Sequence, residues 1–90
     1  MQCIQIQVFG KVQGVWYRKS TQLKAQEIGL SGTVENRPDG SVFIEAVGTE
    51  KQLEELVTWC QKGPTHAVVE RVEMKAIAMK EFVGFEVIRT

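Results

Sequence analysis

Near the start of the chain, apolar and polar side chains alternate. Ile4, Ile6 and Val8 share one register, and Gln5 and Gln7 take the other. A period of two marks a strand with one buried face. The alternation gives way at Gly10-Lys11-Val12-Gln13-Gly14, which reads as a turn, and from about Trp16 the spacing turns helical. Tyr17, Leu23 and Ile28 can share one face of that helix, with Lys19, Lys24 and Glu27 outside. Gly29 closes it, as a left-handed cap residue commonly does. Leu30 to Asn36 and Ser41 to Val47 read as two further strands, joined by Arg37-Pro38-Asp39-Gly40. In that turn proline presets one torsion and glycine permits a positive one. Thr49-Glu50-Lys51-Gln52 has the spacing of a capping box. Leu53, Leu56, Val57 and Cys60 then repeat at helical spacing until Gly63-Pro64. Val68, Glu70, Val72 and Met74 occupy one register of a fourth extended stretch, alternating with Val69, Arg71, Glu73 and Lys75. A short last strand covers about Phe85 to Arg89.

The order β-α-β-β-α-β with one added strand predicts an α+β fold, the ferredoxin-like βαββαβ sandwich. Two helices lie on one face of a mostly antiparallel sheet, with an extra C-terminal strand. The first βαβ crossover has only one favoured hand. Strands 1 and 2 then run parallel with strand 3 between them, so their C-terminal ends share one edge of the sheet. The Gly10–Tyr17 segment and Asn36 become neighbours about two strand spacings apart, roughly 4.8 Å each. The Arg18 side chain can cross that gap. The pattern leaves the last strand without an assigned neighbour.

Length and charge narrow the function classes. Ninety residues predict a single domain over 1–90. Eleven basic residues balance eleven acidic ones, so the basic excess of a nucleic-acid binder is missing and no nucleic-acid partner is expected. The N-terminal stretch has no cationic start followed by an apolar run, and no segment approaches about 18 apolar residues. Neither a signal peptide nor a membrane partner is expected, and the default compartment is cytoplasmic. Cys3 and Cys60 are too few for a disulfide scaffold and lack metal-ligand spacing, so both read as reduced thiols and no metal site is expected. A monomer is the default state, with Phe43 or an edge strand as the places where association would start.

The segment leading into the first helix carries the chemistry. Gly10 and Gly14 allow backbone conformations that point successive N–H groups inward. Val15, Trp16, Tyr17 and Arg18 supply the unpaired N–H groups of a helix start, where the dipole favours an anion. Arg18 adds a permanent charge and a planar donor fork suited to a tetrahedral oxyanion. Together these describe a phosphate site. The same residues also fit a plain strand–turn–helix junction with a solvated arginine. The segment is neither a Walker loop nor a dinucleotide-binding Gly-x-Gly-x-x-Gly.

Gly10-Lys11-Val12-Gln13-Gly14-Val15-Trp16-Tyr17-Arg18 resembles the acylphosphatase signature Gly-x-Val-Gln-Gly-Val-x-Phe/Tyr-Arg at every specified position. Gly32-Thr33-Val34-Glu35-Asn36, followed by Asp39-Gly40 and a strand, is similar to that family's second block. The closing Gly84-Phe85-Glu86-Val87 agrees as well. The resemblance implies that Arg18 binds the substrate phosphate and that Asn36 holds the attacking water. It implies that the backbone of Gly14, Val15, Trp16, Tyr17 and Arg18 forms the cradle. Position 16 varies in the family, and Phe43 stands where acidic or small residues are frequent.

The implied activity is hydrolysis of the carboxyl–phosphate bond of a small acyl phosphate, without cofactor or metal. The residues are consistent with it, because the segment offers no nucleophile, carboxylate dyad or metal cluster. An acyl phosphate expels a carboxylate, whose acid has a pKa near 4. Positioning and charge stabilisation can then suffice. Two rivals are a non-catalytic ferredoxin-like binding module and a freestanding relative of the acylphosphatase-like domain of carbamoyl-handling proteins. Fold alone does not choose among such functions. The remaining chemistry-bearing residues read blandly. His66 is a surface residue and Trp59 core packing, while Met74 and Met79 suit strand or loop packing. Asp39 serves its turn, and Lys11 and Arg37 add positive potential.

Overall fold

The alternating segment forms β1 (Gln2–Lys11), longer than expected because Gly10 and Lys11 still pair with the neighbouring strand. The remaining elements of this computed structural model are α1 (Tyr17–Ile28), β2 (Ser31–Asn36), β3 (Val42–Gly48), α2 (Glu50–Cys60), β4 (Val68–Ile77) and β5 (Phe85–Ile88). The described residues are 1–89; Thr90, the last residue of the expected domain, lies outside them.

The sheet order is β4-β1-β3-β2-β5. β3 is antiparallel to both β1 and β2, which therefore run parallel with β3 between them, as the crossover rule requires. β4 is antiparallel to β1, while β5 lies parallel to β2 at the far edge. Register puts Ile4 opposite Ala46, Ile6 opposite Ile44, Val8 opposite Val42, and Val34 opposite Ile44. All of these are buried and form the helix-facing side of the sheet. Leu53, Leu56 and Cys60 of α2 close over β1, β3 and β4, and α1 covers β2 and β5.

Two expected faces are corrected. The buried face of α1 is Tyr17, Thr21 and Ala25, and Leu23 stands 54% exposed. The buried residues follow one another at i, i+4 and i+8, a stripe that leaves Leu23 on the other side of the helix, and Thr21 is tolerated in the core because its hydroxyl donates to the Tyr17 carbonyl oxygen at 2.7 Å. In β4 the register shifts beside Phe9 and Gly10, so Val69, not Val68, shares the inward side with Val72. One extra residue flips every later side chain to the other face. Gly10 makes this bulge possible: its φ is +129°, and a Cβ there would lie 2.2 Å from the Val68 carbonyl oxygen. Gly10 is thus a strand-pairing glycine, not part of the loop. Met74 and Met79 are exposed rather than packed. Phe43 is half-buried under the Arg37 guanidinium, 3.9 Å from its ring centre.

Candidate active site

Between β1 and α1 the chain alternates anchor and free residue. Val12, Val15 and Tyr17 send their side chains into the core, whereas Gly14 and Trp16 face outward. Tyr17 is fixed most firmly. Its hydroxyl donates to the Cys60 carbonyl oxygen at 2.7 Å, and its ring lies 5.5 Å from that of Trp59, which packs against the core as expected. Burial pushes the Tyr17 phenol far above its ordinary range and the Cys60 thiol up to about 12, so both are neutral packing groups at physiological pH.

The anchored side chains force an unusual backbone between them. Gly14 has φ +74° with open space where a Cβ would be, so its torsion, not crowding, calls for glycine. Trp16 has φ +66° and is the one non-glycine residue with positive φ among the described residues. That conformation costs an L-residue about 1–2 kcal/mol.

Trp16 is also the cap position of α1, and its side chain makes no capping hydrogen bond. The first helical bond runs from the Ser20 N–H to the Trp16 carbonyl, leaving the N–H groups of Tyr17, Arg18 and Lys19 without helical acceptors. No acidic residue occupies the first turn. Beside these donors lies a cavity of about 510 Å³ lined by Gly14, Trp16, Tyr17, Arg18, Lys19 and Arg89. Among the described residues, three that line it are cations and none is a carboxylate. A cavity of equal volume under α2 is lined by Ile4, Leu53, Val57 and Met74 together with Glu50 and Glu54, and has no cation to receive an anion.

Arg89 escaped the sequence reading. Ile88, the last residue of β5, pairs with Glu35 across the parallel β2–β5 ladder, so Arg89 just beyond it follows toward the Asn36 end of β2. A strand placed beside β2 would have signalled it; no local motif does.

Asn36 ends β2 opposite Val42. It is not among the residues lining the cavity, but its Oδ1 is buried and has no hydrogen-bond partner among the described residues. The loop and this strand end are tied together by Gln13, whose Nε2 donates to the carbonyl oxygens of Arg37 at 2.8 Å and Ser41 at 2.9 Å. Both carbonyls belong to the turn that follows Asn36. Asp39 holds the same turn by accepting from the Ser41 hydroxyl at 2.6 Å and the Ser41 N–H at 2.9 Å. These bonds, the hydroxyl's foremost, keep its carboxyl below the usual range. Arg37 turns toward Phe43 and lies 3.7 Å from Glu35, so its charge serves the sheet and not the cavity.

Of the residues singled out from sequence, Gly14, Trp16, Tyr17 and Arg18 meet at one cavity. Val15 is not among the residues lining it, and Tyr17, whose side chain is buried, can offer that space only backbone. His66 is exposed and lies outside it. Amide donors at a helix start, flanked by guanidinium and ammonium groups, suit a compact multivalent anion.

Comparison with known proteins points the same way. The family whose sequence profile matches residues 4–87 is described as Acylphosphatase. An acylphosphatase of Marinobacter nauticus is 52% identical over 79 residues, covering 87% of this chain and 86% of its own. Among solved structures, the acylphosphatase from Bacillus subtilis superposes with a TM-score of 0.95 at 31% identity, covering 99% of this chain and 100% of that one. The acylphosphatase from Coxiella burnetii gives 0.94 at 37% identity over 97% of this chain and 92% of that one.

Proposed function

The chain belongs to the acylphosphatase family and is a hydrolase of acyl phosphates; on that premise we propose how its own residues divide the work. The phosphoryl group sits on the N–H groups of Gly14, Val15, Trp16, Tyr17 and Arg18, at the positive end of α1. The Arg18 guanidinium grips two of its oxygens. The Asn36 side-chain amide orients the attacking water toward phosphorus.

The water oxygen bonds to phosphorus as the bond from phosphorus to the bridging carboxyl oxygen breaks. The acyl group leaves as a carboxylate, and the proton of the water passes to a phosphate oxygen. No general acid is needed, because a carboxylate whose acid has a pKa near 4 is already a stable leaving group. The loose transition state spreads charge over the equatorial oxygens, where fixed donors are most effective. This chemistry requires no metal.

One observation carries this reading: unmet hydrogen-bonding groups gather at one sheet edge, where Arg37 Nε beside Asn36 is also buried without a partner. Free amide donors open α1, and a buried, unpartnered Asn36 oxygen ends β2. The Gln13 tether supports their common placement. The test is release of inorganic phosphate from benzoyl phosphate with phenyl phosphate as the monoester control. The protein cleaves the first, leaves the second, and keeps its rate in EDTA. Cleavage of the monoester, or loss of rate on chelation, would replace this mechanism with one using an acid or a cation.

A further inference from the structure

The cradle explains how a phosphate is held but says nothing of the acyl group, and Trp16 supplies that missing contact. Its backbone stands in the middle of the proposed cradle, and the residue lines the cavity wall and remains 77% exposed. It is not packed against the core, and among the described residues no other ring and no guanidinium stacks on it. The other aromatic residue of the wall, Tyr17, is only 1% exposed. The indole is therefore the one large apolar surface free at a site otherwise walled by glycine and cations. It is also held there at the cost of a left-handed backbone, in a place where glycine would relieve the strain. A phosphate seated on the amides of residues 14–18 must project its acyl group outward, past the side chain that points out of that same segment.

Resting on the phosphate-cradle reading above, we propose that Trp16 is a specificity-determining contact. Its indole stacks on the acyl group of the bound substrate and favours acyl phosphates with a planar aromatic acyl group over those with a small aliphatic one. The contact is offset or edge-to-face stacking, which the exposed ring can adopt without repacking the core.

The test compares kcat/KM for benzoyl phosphate and acetyl phosphate in the unaltered protein, in Trp16→Gly and in Trp16→Phe. Both substrates present the same phosphate, so any change in the cradle cancels in the ratio of the two constants. Glycine suits the left-handed torsion, so this variant keeps the loop accessible to folding. In Trp16→Gly the benzoyl-to-acetyl ratio falls about fivefold to tenfold, the worth of one aromatic contact. The fall comes mainly through KM for benzoyl phosphate. Trp16→Phe restores most of it. An unchanged ratio in Trp16→Gly, with both substrates still cleaved, overturns the stacking contact and leaves the cradle standing. Cleavage of neither substrate by the unaltered protein overturns the activity and this inference with it.

Discussion

The two helices of this protein begin in opposite ways. At α2, Thr49 accepts from the Gln52 N–H at 3.2 Å, and the Gln52 side chain accepts from the Thr49 N–H at 2.9 Å. Glu50 places a negative charge against the dipole, and Gln52 also donates to the Ile28 carbonyl at the end of α1. Every device for quieting a helix start is present. At α1 none is: the cap residue is a left-handed tryptophan with no capping bond, the first turn has no acid, and cations gather in front of it. Both ends expose the same kind of amide donors. One closes on the protein itself and serves stability, while the other is left open, as the proposed anion site requires. An unsatisfied helix start is thus informative only beside a satisfied one in the same chain.

Breaking the open end carries the largest effect. Arg18→Ala lowers kcat/KM for benzoyl phosphate about a thousandfold, within the range for losing a guanidinium that stabilises phosphoryl transfer. Steady-state phosphate release measures it, and a loss under tenfold would remove Arg18 from the anchor role. Asn36→Ala comes next, lowering kcat about a hundredfold, as for one positioned polar group. Competitive inhibition by inorganic phosphate changes little, because the role proposed for Asn36 is toward water rather than phosphate. The melting temperature also holds, since Asn36 Oδ1 has no partner among the described residues to lose.

The closed end responds in the reverse sense. Thr49→Ala costs about 1 kcal/mol of stability, a fall of about 4–8 °C in Tm for a domain of this size, with kcat/KM unaltered. A calorimetric scan and one rate measurement separate the two helix starts. The smallest effect concerns the turn after Asn36. Hydrogen bonds to Ser41 depress the Asp39 carboxyl in the folded state, so its stabilisation is complete above the ordinary carboxylate pKa. It is lost as pH falls through the lower, folded value. Asp39→Ala flattens that acid limb in denaturant melts, and an unchanged slope would mean the turn does not depend on the carboxylate.

Much of this site was legible because it is local. The Gly10–Arg18 segment, the Arg37–Gly40 turn and the Thr49–Gln52 box each state their conformation through residue types a few positions apart. The crossover rule then put the loop and Asn36 at one edge. Gln13 stood in the signature without a role, because the acceptors of its amide are carbonyls 24 and 28 residues away. Arg89 was silent for the same reason, since its place depends on where β5 joins the sheet.

The chain alone thus determined the element order, the parallel relation of β1 and β2, and the family to which the loop signature belongs. Those follow from periodicity, from torsions that only certain residues adopt and, for the family, from the signature residues themselves. Tertiary structure decided which residues face inward on α1, where β4 slips its register, and which distant groups join the cavity. Thr21 and Ala25 are buried while Leu23 is not because they share with Tyr17 the side of α1 that meets the sheet, whereas Leu23, two residues from each, points away from it; which side docks is settled only once both surfaces are present. Hydrophobic pattern records the average fate of an apolar side chain; the space left by its neighbours settles the particular one.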